Sequence, residues 1–263
     1  MEKDLSLRTV TVMRYITPLR EGGSLPALAE ADDGFKYVLK FRGSGHGVKM
    51  LISEFLGGQI ARQLGLSIPE LVFAYLDEDF GRTEGDEEIQ DLLKGSQGLN
   101  LGIHYLSGAI AYDPIMKVDA LLASKIVWLD AFTTNIDRTF NNTNLLIWHK
   151  ELWVIDNGAS FYFHHSWTDF ERHALSAFPF IKDHVLLSQA SRLQEADEIG
   201  KAVLDDDFLR RITCLIPDEW LLWNDVTESP DEIRDVYYRL MKTRLQHADN
   251  FVNAAIDARK KIV

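Results

Sequence analysis

Asp137, Asn142 and Asp156 are the residues of this 263-residue chain whose types and spacing could do chemistry. Asp137 and Asn142 stand five apart in NIDRTFNNTN (135–144), and Asp156 follows in VIDNG (154–158). Transfer of a phosphoryl group needs a carboxylate near the attacking hydroxyl and hard oxygen ligands for Mg2+ beside the nucleotide phosphates. A carboxamide oxygen from Asn142 and a carboxylate oxygen from Asp156 would supply two such ligands. Between them, NLLIW, HK and ELWVID read as two apolar runs around a two-residue turn, which predicts a hairpin. That hairpin would return the chain so that both side chains face one point. Asn135, Asn141 and Asn144 are expected to shape the loop, because Asn tolerates unusual backbone angles and bonds its own backbone. The competing reading is a polar turn that holds no ion.

Phosphoryl transfer of the protein-kinase kind adds two requirements, a strand lysine that meets the phosphates and a helix glutamate that orients it. Lys40 ends the apolar run YVLK, and Glu54 sits mid-helix fourteen residues later. Gly57, Gly58 and Ala61 share the face of Glu54, so that face can pack closely, and a carboxylate there needs a partner such as Lys40. Against this stand a strand-end surface lysine and a solvent-facing glutamate. RGSGHG (42–47) is the remaining phosphate candidate, through Ser44 and Gly45 with Arg42 and His46 beside them. Its glycines would let backbone N–H groups approach an anion ahead of a helix N-terminus. It lacks the Gly-Lys-Ser/Thr of a Walker A motif, and a flexible strand-to-helix turn is the alternative.

The elements that would position these residues can be read from periodicity. Residues 7–12, 35–41, 70–76 and 99–106 carry strand patterns, and 48–64 carries helical spacing. The acidic, Gly-broken stretch 77–98 reads as a surface excursion, with a basic partner as the functional alternative to a solvated loop. Residues 117–132 read as a buried helix, and the chain after NGASFYFHH is helical in pattern to its end. Ser229, Pro230 and Glu232 open a long C-terminal helix whose apolar stripe runs from Tyr237 to Ala255. The expected class is α+β with two lobes: a strand-rich nucleotide-binding lobe over 1–106 and a helix-rich catalytic lobe over 107–263. The cleft between them is the expected site.

Composition narrows the partners. Net charge is −12 with a pI near 5.1, and no long basic face suggests nucleic acid. No apolar run reaches membrane-spanning length, and MEKDLSLRTVTV has no signal-peptide core, so a cytoplasmic protein is expected. Cys214 is the single cysteine and is expected to be a small buried hydrophobe. His164, His165 and His173 lack zinc-ligand spacing and are read as packing or hydrogen-bonding residues.

Several stretches together resemble the HipA-like kinases, a bacterial branch of the fold shared by protein kinases and phosphatidylinositol kinases. They are YVLKFRGSGHG, ISEFLGGQIARQLGLSIPE, GLNLGIHYL, WLDAFTTNIDRTFNNTNLLIW and LWVIDNGASFYFHH, spread over roughly residues 8–166. The resemblance implies that Asp137 is the catalytic acid/base, that Asn142 and Asp156 bind metal, and that Lys40 meets the phosphates. It also implies ATP and Mg2+ as cofactors, and Ser or Thr of a protein as acceptor. A Ser-Ser-Pro-Lys type loop that is autophosphorylated in the family's namesake is absent, Ser44 being the nearest candidate. Three alternatives stay open: a nucleotide-binding pseudokinase, nucleotidyl transfer, and a lipid or small-molecule acceptor on the same fold.

Overall fold

The computed structural model describes residues 5–19, 25–45, 47–78, 80, 86–167, 169–223 and 226–263. His46, one of the phosphate candidates, lies outside the described residues.

A five-stranded closed barrel occupies the first part of this mixed α/β chain. Its strands are β1 (Thr9–Pro18), β2 (Ala27–Ala31), β3 (Lys36–Lys40), β4 (Leu71–Leu76) and β5 (Gly98–His104), in the order β1-β2-β3-β5-β4. The β1–β4 pair is parallel and closes the barrel; the other pairs are antiparallel. Alternation sets which side chains fill it: Val10 and Val12 from β1, Tyr37 and Leu39 from β3, Val72 and Ala74 from β4. Strand β2 has no signature in the sequence. ALAEA lacks β-branched and aromatic residues, and its inward Ala27, Ala29 and Ala31 are small because the barrel interior has no room for more.

Helix α1 (Gly47–Gln63) joins β3 to β4, and α2 (Glu87–Gly95) lies in the acidic stretch before β5. The side chain of Asp86 caps α2 by accepting from the backbone of Glu88 and Ile89. Every residue of α1 from Met50 to Ala61 is buried. Its apolar side chains join the larger of two hydrophobic clusters, with Ile126, Trp128 and Phe132, and not the barrel interior. The helix thus connects the barrel to the helical part by packing.

Strand β6 (Ile110–Ala111) pairs with β7 (Leu145–Trp148), which pairs with β8 (Glu151–Val154) across the expected hairpin. His149 and Lys150 take φ of 49° and 68°, the backbone of a two-residue turn usually made by Asn-Gly. Between β6 and β7 runs α3 (Ala120–Thr133), apolar on all sides and capped by Asp119. The remaining helices are α4 (Phe170–Ala174), α5 (Leu193–Val203), α6 (Asp206–Cys214), α7 (Pro230–Gln246) and α8 (Asp249–Lys260). Ser229 and Glu232 form the reciprocal cap expected at the start of α7.

Two expectations are corrected. The long C-terminal helix is broken at His247 and Ala248 into α7 and α8. The break turns the apolar stripe inward, so that Phe251 packs edge-on to Trp128 with ring centres 5.7 Å apart. Cys214 is exposed, because α6 buries Phe208, Leu209, Ile212 and Thr213 and the last residue falls off that face. Among the described residues, no helix is long and apolar enough to cross a membrane, and no cluster of three or more His, Cys, Asp or Glu could hold a metal ion.

His164 is fully buried, with Nδ1 2.7 Å from the Tyr237 hydroxyl and Nε2 without a partner. Burial holds its pKa well below the usual 6.5, with His165 adding to the effect, so the folded protein keeps the ring neutral. The unfolded chain binds a proton there below pH 6.5 and the folded chain does not. Stability is therefore expected to fall by about 1.4 kcal/mol per pH unit below that point. Urea unfolding of wild type and His164→Phe between pH 5 and 7 checks this: the variant should lose that part of the slope, and parallel curves would refute it.

Candidate active site

Lys40 is the last residue of β3, and its ammonium is 2.8 Å from Asp156 Oδ2 across 116 positions of chain. Asp156 lies two residues past the end of β8 and takes a left-handed backbone, φ 53°. That conformation turns its carboxylate back toward β3 and lets the Gly158 N–H donate to Oδ1 at 3.3 Å. Burial alone would push the Asp156 carboxyl up, but the Lys40 ammonium outweighs it and holds its pKa below the usual value. Burial likewise opposes the Lys40 charge, and Asp156 and Glu54 more than restore it.

Glu54 comes from the buried centre of α1 and is 2% exposed. Its field reaches Lys40, yet the direct ion pair of Lys40 is with Asp156 and not with Glu54. Glu54 Oε2 has no hydrogen-bond partner, and burial pushes this carboxyl up to about 7. The small face beside it explains how α1 comes so near. A Cβ on Gly57 would lie 2.6 Å from Asn157 Cβ, one residue after Asp156. Gly57→Ala is therefore expected to cost about 1–3 kcal/mol and to displace Asp156. Thermal unfolding with a nucleotide titration checks this, and an unchanged melting temperature would refute it.

Asp137 stands in the loop between α3 and β7. Its Oδ2 accepts from Asn142 Nδ2 at 2.7 Å and from Asn144 Nδ2 at 3.3 Å. Its backbone N–H donates to Asn135 Oδ1 at 3.1 Å. The asparagines thus hold Asp137 through one carboxylate oxygen and its backbone N–H, and Asn144 takes φ 47°, a conformation Asn tolerates well. Because the Asn142 amide nitrogen is committed to Asp137, its carboxamide oxygen is the atom it can offer to a cation.

These groups meet in one cleft of about 840 Å3, lined by Lys40, Asp137, Asn142, Asn144, Asp156 and Gly158. Its apolar wall includes Val38, Met50, Leu146 and Ile155, and the His104–Leu106 connection out of β5 also lines it. Ser44 and Gly45 are not brought to this cleft. Their segment packs elsewhere: Arg42 pairs with Glu219, and the Gly43 N–H donates to Ser96 Oγ at 3.1 Å. A Cβ on Gly43 would lie 2.5 Å from the Gly95 carbonyl, so this glycine serves a close approach to α2. Pro18, Leu19 and Pro26, at the facing ends of β1 and β2, line the cleft instead.

Sequence reasoning missed the residue that ties the loops together. Arg138 is 1% exposed and donates to Asp130 Oδ2 at 2.6 Å, to the Asn144 carbonyl, to the Ile155 carbonyl at 2.9 Å and to Asn157 Oδ1 at 3.2 Å. One planar guanidinium therefore fixes both ends of the Asp137 loop and the segment bearing Asp156. The available signal was Asp130 in WLDAF, an acid within a run too apolar to leave a charge unpaired.

The sequence model of a family described as HipA-like kinase matches residues 12–252. No curated protein matches the chain. Among solved structures, the chain is similar to the crystal structure of a Helicobacter pylori proinflammatory kinase, CtkA, at 12% identity and a TM-score of 0.52. That alignment covers 90% of this chain and 95% of the other. At this identity it is the fold that is shared.

Proposed function

This chain belongs to the HipA-like kinase family, and we propose that it transfers the γ-phosphoryl group of ATP, with Mg2+, to a hydroxyl acceptor, Ser or Thr of a protein. The observation that carries this reading is the convergence of Lys40, Asp137, Asn142 and Asp156 on one cleft from β3, the α3–β7 loop and the end of β8. The barrel and the helical part act as two lobes that hold nucleotide and acceptor.

Each residue has a role that follows from its surroundings. Lys40, fixed on the barrel wall, presents a permanent positive charge to the nucleotide phosphates. Asp137 accepts a hydrogen bond from the acceptor hydroxyl, orients its oxygen toward the γ-phosphorus and takes its proton as the bond forms. Asn142 and Asn144 hold the Asp137 carboxylate on one oxygen, leaving the other for the acceptor. Asn142 Oδ1 and the Asp156 carboxylate are hard oxygen donors, and Asp156 is held ionised, so the set fits Mg2+. When bound, Mg2+ supplies charge neutralisation at the phosphates. Asp156 would then be shared between Lys40 and the metal, and Glu54 Oε2, unpartnered in α1, is available to take up Lys40 in turn. Phosphoryl transfer asks little covalent chemistry of a protein, so positioning and electrostatics are the main demands.

The test is incubation with Mg2+ and ATP labelled on the γ-phosphate or, separately, on the α-phosphate, beside Asp156→Ala. Label on protein from the γ position only, lost in the variant, is expected. Label from the α position would mean nucleotidyl transfer and overturn the reading. Bound ATP without transfer to any offered protein, lipid or small-molecule acceptor would make the chain a nucleotide-binding module.

A further inference from the structure

The proposed catalytic loop is held by a group far from it in sequence. Asp130, on α3, is fully buried and accepts on both oxygens. Oδ1 receives Asn135 Nδ2 at 3.2 Å, and Asn135 in turn holds the backbone N–H of Asp137. Oδ2 receives Arg138 Nε at 2.6 Å and His184 Nε2 at 2.8 Å. The His184 tautomer is settled by its other nitrogen: Nδ1 accepts the backbone N–H of Leu186 at 3.0 Å, so the proton sits on Nε2 and the ring donates to Asp130. The backbone around His184 is bound to the same loop. Thr139 and His184 form an isolated antiparallel bridge, and the Val185 N–H donates to the Arg138 carbonyl at 3.1 Å. His184 is 4% exposed and lies outside the cleft lining.

We propose that His184 is a positioning residue for phosphoryl transfer, acting through Asp130 on the Asn135–Arg138 stretch that aims Asp137. This rests on the kinase reading above. Loss of the donor removes one of the two hydrogen bonds to Asp130 Oδ2; Arg138, 2.6 Å from Oδ2 and 3.4 Å from Oδ1, then holds the carboxylate without the His184 contact that helps set its tilt, and Asn135 and the Asp137 backbone shift with it. Small errors at a near-attack geometry are expensive in rate, so a fall of about 10-fold or more in kcat is expected without a matching change in nucleotide affinity.

The experiment compares His184→Leu, which removes the donor, with His184→Gln, whose amide nitrogen reaches the place of Nε2. Steady-state transfer is measured per folded molecule, and hydrogen exchange is followed over peptides spanning 134–145. His184→Leu should lower kcat about 10-fold or more with KM for ATP within about twofold. The same variant should exchange faster over 134–145, and His184→Gln should recover most of both losses. Wild-type kcat and exchange in His184→Leu would overturn the proposal, as would a Gln variant no better than Leu. If His184→Leu does not fold, His184→Asn takes its place, because its amide reaches only the position of Nδ1. If the wild type transfers no phosphate, the kinase reading fails by itself. The exchange contrast then decides whether His184 positions the loop.

Discussion

Asp137→Asn is expected to lower phosphoryl transfer by about 10²–10⁴-fold while ATP binds nearly as in the wild type. The substitution keeps the shape of the side chain and one oxygen that can accept from Asn142 and Asn144. The loop should therefore hold its course, since Asn135 still receives the backbone N–H of residue 137. What disappears is the group able to take the proton from the acceptor hydroxyl. Paired measurements of kcat and nucleotide affinity separate these effects. Transfer within tenfold of wild type would remove Asp137 from the role of base, and loss of ATP binding would show that the loop had collapsed.

The largest effect on stability is expected from Arg138→Met, about 3–5 kcal/mol. The methionine fills much of the same volume but leaves Asp130 a buried carboxylate without its main counter-charge. Burial by itself would push that carboxyl up; the Arg138 charge, helped by His184, holds its pKa below the usual value. The Asn144 and Ile155 carbonyls would also lose their donor. Urea unfolding at neutral pH measures this, and a loss below about 1 kcal/mol would show that the network is dispensable. At the same residue, transfer should fall as well, because the segments bearing Asp137 and Asp156 are joined through this one guanidinium.

Much of the site can be read from local sequence because its parts are local patterns. NIDRTFNNTN and VIDNG announce a carboxylate and two oxygen donors, and the apolar runs between them announce the hairpin that returns the chain. Strands such as FKYVLKF and the α1 repeat follow from periodicity. Strand β2 is silent by comparison, since alanines chosen for a narrow barrel carry no strand signature. The glycines of RGSGHG are ambiguous for a related reason: Gly43, needed for its close contact with Gly95, looks the same in sequence as a glycine needed for a phosphate.

Which chemical groups are available, and roughly the order of strands and helices that carry them, is legible along the chain. Their partners are set by packing in three dimensions. Lys40 pairs with Asp156 and not directly with Glu54; Cys214 faces outward; the C-terminal stripe bends at His247 to bring Phe251 onto Trp128. Arg138 and His184 meet on Asp130 from positions 8 and 54 residues away. A buried charge chooses its partner by distance and desolvation in three dimensions, and neither quantity has a period along the chain.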